Sequence, residues 1–245
     1  MKTVLITGAN RSIGLETARQ LLQKGYFVYL GARELSRGQK AVDALKSEGF
    51  EHAEAIAIDV DDLSSIQSAR EALGQKTEVL DVLINNAGIP GSFPQTAEAA
   101  SVGVVRQVFE TNFFGVIEVT QAFLDLLKKS SEPRIVNVTS GLGSLTLHSD
   151  PGWKYYAVKP VAYIASKAAL NAYTIVLSSE LRGSGFKINA VDPGYTATDF
   201  NNHSGPGTVE DAAARVVRAA MLDADGPTGQ FFSDDNVPES GISPW

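Results

Sequence analysis

The chain has 245 residues, 44% of them apolar and 20% charged, which is enough to bury a substantial core in one domain. The net charge of −7 gives no general cationic surface for a polyanion, so nucleic acid is not an expected partner. Cysteine is absent, which excludes disulfides, thiolate catalysis and zinc–thiolate sites. Residues 1–7 hold too few apolar side chains for a signal peptide or a membrane span, and we expect a cytoplasmic protein with no membrane partner.

Short apolar runs alternate with segments of helical periodicity along the chain. Strands are predicted near 4–6, 27–30, 55–58, 79–84, 135–138, 186–191 and 230–232. Helices are predicted near 13–24, 35–47, 62–73, 98–128, 161–182 and 208–223. Strands that are apolar on both faces and separated by helices indicate an α/β fold, a single doubly wound parallel sheet with helices on both faces. The irregular segments 89–97, 141–160 and 193–207 each follow a strand, at the edge where such sheets bind ligands.

The first strand-to-helix turn is rich in glycine. Segment 7–14 reads Thr-Gly-Ala-Asn-Arg-Ser-Ile-Gly, and such a turn presents backbone N–H groups and a helix N-terminus to a pyrophosphate. A plain turn with Ser12 as the helix N-cap is the alternative. The second strand is followed by Arg33 and by no acid that would bind a ribose 2′-hydroxyl, while Arg11 lies in the first turn. Two guanidinium groups favour a 2′-phosphate and hence NADP.

Two tyrosine–lysine pairs with a spacing of four residues compete for a catalytic interpretation. Tyr163 and Lys167 begin a long helical pattern, so both side chains lie on one helix face, where an ammonium group lowers the pKa of a phenol from its ordinary value near 10. Tyr155 and Lys159 precede Pro160, which disfavours a helical residue before it. We therefore select Tyr163 and Lys167, and an exposed helix pair is the alternative.

In order and spacing, the motifs resemble the short-chain dehydrogenase/reductase family and, within it, the NADPH-dependent carbonyl reductases. The family's motifs match 7–14, Asn-Asn-Ala-Gly at 85–88, Tyr-x-x-x-Lys at 163–167 and Pro-Gly-x-x-x-Thr at 193–198. Segments that resemble the carbonyl reductases are 31–42, 59–62 and 111–115. The resemblance covers nearly the whole chain and implies a Rossmann-type sheet.

The resemblance also implies roles for residues at matching positions. Tyr163 would protonate the carbonyl oxygen, and Lys167 would lower the pKa of Tyr163 and hold the nicotinamide ribose. Ser140 would orient the carbonyl oxygen, and Asn112 would hold a proton-relay water. The implied cofactor contacts are Gly8, Asn10, Arg11, Ser12, Ile13, Gly14, Arg33, Asp59, Val60, Asn86, Ala87, Gly88, Tyr163, Lys167, Pro193, Gly194, Thr196 and Thr198.

The chain departs from the family pattern at two places. Ser12 stands where the family has its middle glycine, and its Cβ would crowd the phosphates unless its hydroxyl donates to them or caps the helix. The 23 positions from Ser140 to Tyr163 are more than the family usually has, so residues are inserted beside the site. We expect the segment 141–160 to form a partly ordered lid that sets substrate size, and a surface loop packed on its own side chains is the alternative.

The substrate side is indicated only by apolar residues in the irregular segments. The expected substrate contacts are Leu142, Trp153, Tyr195 and Phe200, which suit a small apolar ketone or aldehyde. His52, His148 and His203 lack ligand-like spacing, so no metal is expected. The sequence favours an NADPH-dependent carbonyl reductase and leaves open NAD-dependent alcohol oxidation, a non-catalytic NADP-binding regulator, and the oligomeric state.

Overall fold

The computed structural model describes residues 1–245 and contains one parallel sheet of seven strands in the order β3-β2-β1-β4-β5-β6-β7. The strands are β1 (Thr3–Ile6), β2 (Phe27–Ala32), β3 (Ala53–Ala57), β4 (Val82–Asn85), β5 (Arg134–Val138), β6 (Lys187–Val191) and β7 (Phe231–Phe232). The helices are α1 (Ser12–Gln23), α2 (Leu35–Ser47), α3 (Leu63–Gly74), α4 (Val102–Phe109), α5 (Gly115–Leu127), α6 (Leu145–His148), α7 (Val161–Glu180) and α8 (Val209–Ala220). The predicted doubly wound α/β fold is confirmed.

Buried side chains cover both faces of the sheet, as continuous apolar strands require. Along β1, Val4 and Ile6 point into one core cluster with residues of α1, α2 and α8. Leu5 points into the other cluster, with residues of α3, α5 and α7. The strand order reverses between β1 and β4, and the segments after them lead to helices on opposite faces of the sheet, α1 and α5, which opens the crevice that such sheets use for ligands.

The single helix predicted near 98–128 is wrong in its start and its continuity. Helix α4 begins only at Val102, and a π-helical turn, Glu110–Phe114, separates it from α5. Inside that turn the buried Asn112 side chain exchanges two hydrogen bonds with the backbone of Ile89, at 2.8 and 2.9 Å. The turn therefore places a polar group against the end of β4, which helical periodicity does not reveal.

Helix α7 is long and apolar enough to cross a membrane by length and composition alone. In the structure it is a core helix, with Leu170 and Leu177 among its buried residues and its N-terminal turns beside β5. A buried core helix can have the same length and apolar composition as a membrane span, so the composition of α7 does not indicate a membrane. Its first turns carry Tyr163 and Lys167 to the open edge of the sheet.

Candidate active site

A cavity of about 870 Å³ follows the carboxyl edge of the sheet from the glycine-rich turn to the segment 193–207. Every residue for which a cofactor contact is predicted lines this cavity. Of the four predicted catalytic residues, Ser140, Tyr163 and Lys167 line it and Asn112 does not. Of the predicted substrate contacts, Leu142, Tyr195 and Phe200 line it and Trp153 does not.

The glycine-rich turn is held closely against the end of β4. The Asn86 side-chain amide donates to the backbone oxygens of Thr7 and Gly8, at 2.9 and 3.1 Å. A Cβ at Gly14 would lie 2.6 Å from that amide nitrogen, so the position needs glycine. The first amides of α1 make no backbone hydrogen bond and face the cavity. This arrangement fits a dinucleotide, whose pyrophosphate would accept from those amides.

Ser12 does not cap helix α1, which corrects that alternative. Arg11 is the N-cap residue, with no side-chain capping bond, and Ser12 is the first helical residue with a left-handed φ of +49°. Its hydroxyl makes no hydrogen bond within the chain and lines the cavity. A glycine adopts this backbone conformation without cost, whereas a residue with a Cβ is strained there.

We predict that Ser12→Gly raises the free energy of unfolding by about 0.5–1 kcal/mol. Relief of the left-handed strain contributes about 1–2 kcal/mol, and the greater flexibility of glycine in the unfolded chain offsets part of it. Chemical denaturation measures the change. Ser12→Ala is the control, because it removes the hydroxyl and keeps the strained Cβ. An equal gain from alanine would contradict the backbone explanation.

Two arginines line the cavity, Arg33 directly after β2 and Arg11 in the turn after β1. Arg11 is paired with Asp199 at 3.3 Å, and both side chains are about half exposed or more. Arg33 is exposed, lines the cavity beside Asp59 and Val60, and makes no salt bridge. Its charge acts on Asp61, whose pKa is raised mainly by burial and lowered in part by Arg33. The Arg33 guanidinium is therefore free to bind an anion.

Tyr163, Lys167 and Ser140 meet where β5 ends against α7. The Lys167 ammonium donates to the Val138 carbonyl at 2.9 Å and lies 5.8 Å from the centre of the Tyr163 ring. Desolvation lowers the pKa of Lys167 to about 8. Burial raises the pKa of Tyr163, and the Ser140 hydroxyl acts in the opposite direction. In the protein alone, burial thus moves the phenol pKa in the direction opposite to that expected from the spacing, and a lowering of this pKa by Lys167 stays a prediction.

The buried lysine should cost stability, and the cost should depend on pH. Lys167 has a pKa of about 8 when folded and 10.5 as its reference value, so between these pH values the unfolded chain binds more protons and stability rises with pH. At pH 7, Lys167→Met should raise the free energy of unfolding by about 1–3 kcal/mol. Thermal unfolding of both proteins should show this advantage shrinking towards about pH 10. A difference in unfolding free energy between the two proteins that does not change with pH would contradict the lowered pKa of Lys167.

Asn112 stands behind the cavity wall. Besides its bonds to Ile89, its side-chain nitrogen donates to the Ser166 hydroxyl at 3.1 Å. A Cβ built at Gly88 would lie 3.2 Å from the Asn112 side-chain oxygen and 3.6 Å from the Lys167 nitrogen. The Asn112 side chain thus fixes the segment after β4 close to Lys167, and its predicted water relay stays a prediction.

Trp153 does not line the cavity, which corrects its prediction as a substrate contact. Trp153 is buried inside the 141–160 segment, with its ring edge-on to His148 at 4.9 Å and to Tyr155 at 5.5 Å. The indole nitrogen is buried without a hydrogen-bond partner. The residues of this segment that do line the cavity are Gly141, Leu142, Tyr155, Val158 and Pro160, and any lid over the substrate would be formed by them.

Trp153→Ala should destabilise the protein by about 2–4 kcal/mol, because a large cavity replaces the ring. The efficiencies of bulky and small unsubstituted ketones should keep their ranking, since Trp153 lies outside the cavity lining. Trp153→Phe is the control that retains an aromatic ring and removes the unpaired N–H. Thermal unfolding and kinetics on both variants measure the effects. A changed size ranking with unchanged stability would restore Trp153 as a substrate contact.

The sequence interpretation missed two acidic residues in the cavity wall. Asp192 directly follows β6, is buried, and accepts from the Ser233 hydroxyl at 2.6 Å and the Gly194 amide at 2.9 Å. Its position at a strand end could have identified it. Asp235 belongs to the segment after β7 and accepts from the Tyr155 hydroxyl at 2.9 Å. No sequence pattern connects Asp235 with Tyr155, since the two residues are 80 positions apart.

The proteins that combine this fold with this kind of site are nicotinamide-dependent oxidoreductases. The family described as short chain dehydrogenase matches residues 2–208, and the chain belongs to the short-chain dehydrogenase/reductase family. It is 35% identical over 289 residues to (+)-neomenthol dehydrogenase of Arabidopsis thaliana, and the aligned region covers 96% of this chain and 97% of that protein. It is 30% identical over 297 residues to salutaridine reductase of Papaver bracteatum, with 95% and 94% covered.

Solved structures give the same family. The NADPH-bound carbonyl reductase from chicken fatty liver has a TM-score of 0.85 at 28% identity, covering 100% of this chain and 99% of that one. The salutaridine reductase of Papaver somniferum has a TM-score of 0.83 at 29% identity, covering 96% and 100%. The resemblance stated from the sequence motifs is thereby confirmed at the level of the family.

Proposed function

We propose that this protein reduces a ketone or aldehyde to an alcohol with NADPH. One observation carries the proposal: Tyr163, Ser140 and Lys167 line the same continuous cavity as the free amides of α1 and the unpaired Arg33 guanidinium. A hydrogen-bonding site for a reacting carbonyl and an anion-binding site for a dinucleotide therefore share one space. The names of the relatives, neomenthol dehydrogenase and salutaridine reductase, support a small carbonyl substrate.

The preference for NADPH is supported by the charges at the adenosine end of the cavity. Arg33 makes no salt bridge there, so its guanidinium can form a charge-assisted pair with a 2′-phosphate. Arg11 also lines the cavity. It can assist Arg33, because its exposed ion pair with Asp199 contributes little stability and holds it only weakly. The NADPH-bound neighbour supports the same choice.

The side chains supply the proton and the orientation of the substrate. Bound NADPH supplies a hydride to the carbonyl carbon. Tyr163 donates its phenolic proton to the carbonyl oxygen, and its raised pKa keeps that proton in place at neutral pH. The Ser140 oxygen accepts from the Leu142 amide at 3.2 Å, which leaves its O–H free to donate to the same carbonyl oxygen. The Lys167 ammonium, 5.8 Å from the centre of the Tyr163 ring, stabilises the phenolate that results.

The test is NADPH consumption with a panel of aldehydes, ketones and diketones, with NADH in parallel and NADP⁺ plus alcohols for the reverse reaction. We expect carbonyl-dependent oxidation of NADPH, with NADH less efficient. Tight NADPH binding with no turnover of any carbonyl would favour the non-catalytic regulator. Turnover that is faster with NAD⁺ and alcohols would favour the oxidative alternative.

A further inference from the structure

The second tyrosine–lysine pair does not form a second proton-donating site. The Lys159 ammonium lies 3.0 Å from the His148 Nδ1 atom and donates to the His148 carbonyl, also at 3.0 Å. Residues 155–159 are not helical, as Pro160 predicts. Tyr155 is therefore free of Lys159, yet it lines the cavity of Tyr163, so its hydroxyl needs a separate explanation.

The single O–H of Tyr155 already donates a hydrogen bond within the protein. It donates to Asp235 Oδ2 at 2.9 Å. The Lys154 ammonium donates to Asp235 Oδ1 at 2.8 Å and to the Asp235 carbonyl at 2.6 Å, which neutralises the carboxylate from the side away from the cavity lining. What remains on the cavity side of this pair is acceptor capacity, on the phenol oxygen and on the carboxylate.

Aromatic rings pack against the Tyr155 ring, and apolar side chains line other parts of the same cavity. The Tyr155 ring packs edge-on against Trp153 at 5.5 Å and against Tyr195 at 6.2 Å. Phe93, Leu142, Val158 and Phe200 also line the cavity. Tyr155 and Asp235 line the same cavity as Tyr163 and the buried Asp192. Burial is the main cause that raises the pKa values of both tyrosines, and Asp192 contributes to both increases.

We infer that Tyr155 and Asp235 form a substrate-recognition site for a hydroxyl group carried by the ketone or aldehyde at a distance from its carbonyl. This inference rests on the proposed carbonyl reduction and adds the class of substrate, a hydroxylated carbonyl compound of otherwise apolar character. A hydroxyl supplies a hydrogen-bond donor to the phenol oxygen, which accepts from no group of the protein, and to the remaining lone pairs of the carboxylate, whereas an apolar substituent would leave the phenol oxygen without a donor. Lys154 already balances the Asp235 charge, so a neutral hydroxyl suits the pair better than an ammonium group.

The test uses ketones that carry a hydroxyl at increasing distances from the carbonyl, each matched with the compound that has a methyl group in its place. For at least one spacing, the wild-type protein should prefer the hydroxyl compound about 10- to 100-fold in kcat/KM. Tyr155→Phe and Asp235→Ala should each reduce that preference to within a few-fold of one. Tyr156→Phe is the matched control, because Tyr156 is exposed and outside the cavity lining, and it should keep the preference.

The outcomes separate the two proposals. Reduction of ketones with no hydroxyl preference at any spacing, or with a preference that survives both variants, overturns the recognition site and leaves carbonyl reduction standing. Absence of NADPH oxidation with every ketone removes carbonyl reduction, and the recognition site with it. Thermal unfolding shows whether each variant is folded. If Asp235→Ala proves unstable, Tyr155→Phe still tests the inference, because it retains the Lys154–Asp235 ion pair.

Discussion

Tyr163→Phe should lower turnover of a simple ketone by about 10²–10⁴-fold, the usual contribution of a positioned proton donor. The loss should appear in kcat and kcat/KM together, because the proton is transferred only on the way to the alcohol. The ring is retained, including its packing at 5.6 Å from Phe200, so the fold and NADPH binding should remain. Steady-state kinetics and NADPH titration of the variant measure both effects.

Tyr155→Phe provides the comparison within the same cavity. It should lower turnover of an unsubstituted ketone far less than Tyr163→Phe, because its hydroxyl is bound to Asp235 and its neighbouring lysine to His148. Equal losses in the two variants would mean that the choice between the tyrosine–lysine pairs is wrong. Recovery of activity by Tyr163→Phe at low pH, through protons from water, would be consistent with the assigned role.

The sheet was predictable because its information is local and repeated. Each strand is a short apolar run, each intervening helix shows helical periodicity, and the crossover rule then leaves few topologies. The helix that carries Tyr163 and Lys167 was predictable for a related reason: Pro160 marks its start, and both residues follow within two turns. Residues that come soon after a strand, such as Ser140 two positions after the end of β5, are positioned by the sheet.

The features that the sequence did not reveal depend on contacts between distant segments. The π-helical turn at Asn112 is stabilised by the backbone of Ile89, which no periodicity within 98–128 encodes. Trp153 is an aromatic residue in an irregular segment beside the cavity, as expected of a substrate contact, yet its ring packs against His148 and Tyr155 within that segment. Spacing on a helix likewise predicts that Lys167 is near Tyr163, whereas the direction of the Tyr163 pKa depends on how far both groups are desolvated.

Arg33→Asp should exchange the preference between the two nicotinamide cofactors. Loss of a charge-assisted contact is worth roughly 1.5–3 kcal/mol, so NADPH affinity should fall about 10- to 150-fold. The new carboxylate would repel a 2′-phosphate and can accept from a ribose hydroxyl, so NADH should be bound as well as before or better. The ratio of kcat/KM values for NADPH and NADH is the measurement, with a single carbonyl substrate throughout.

Arg37→Asp is the matched control for a change of two charge units on the same exposed surface. Arg37 is paired with Glu34 at 3.0 Å and lies outside the cavity lining, so its replacement alters the general field and removes this exposed ion pair without removing a contact to the cavity. It should change the cofactor ratio by only a few-fold, and less at high salt, because exposed charges are screened. A specific contact at Arg33 requires a shift that is much larger and persists in salt. If both variants gave the same ratio as the wild type, the 2′-phosphate site would have to lie elsewhere, with Arg11 the first residue to replace next.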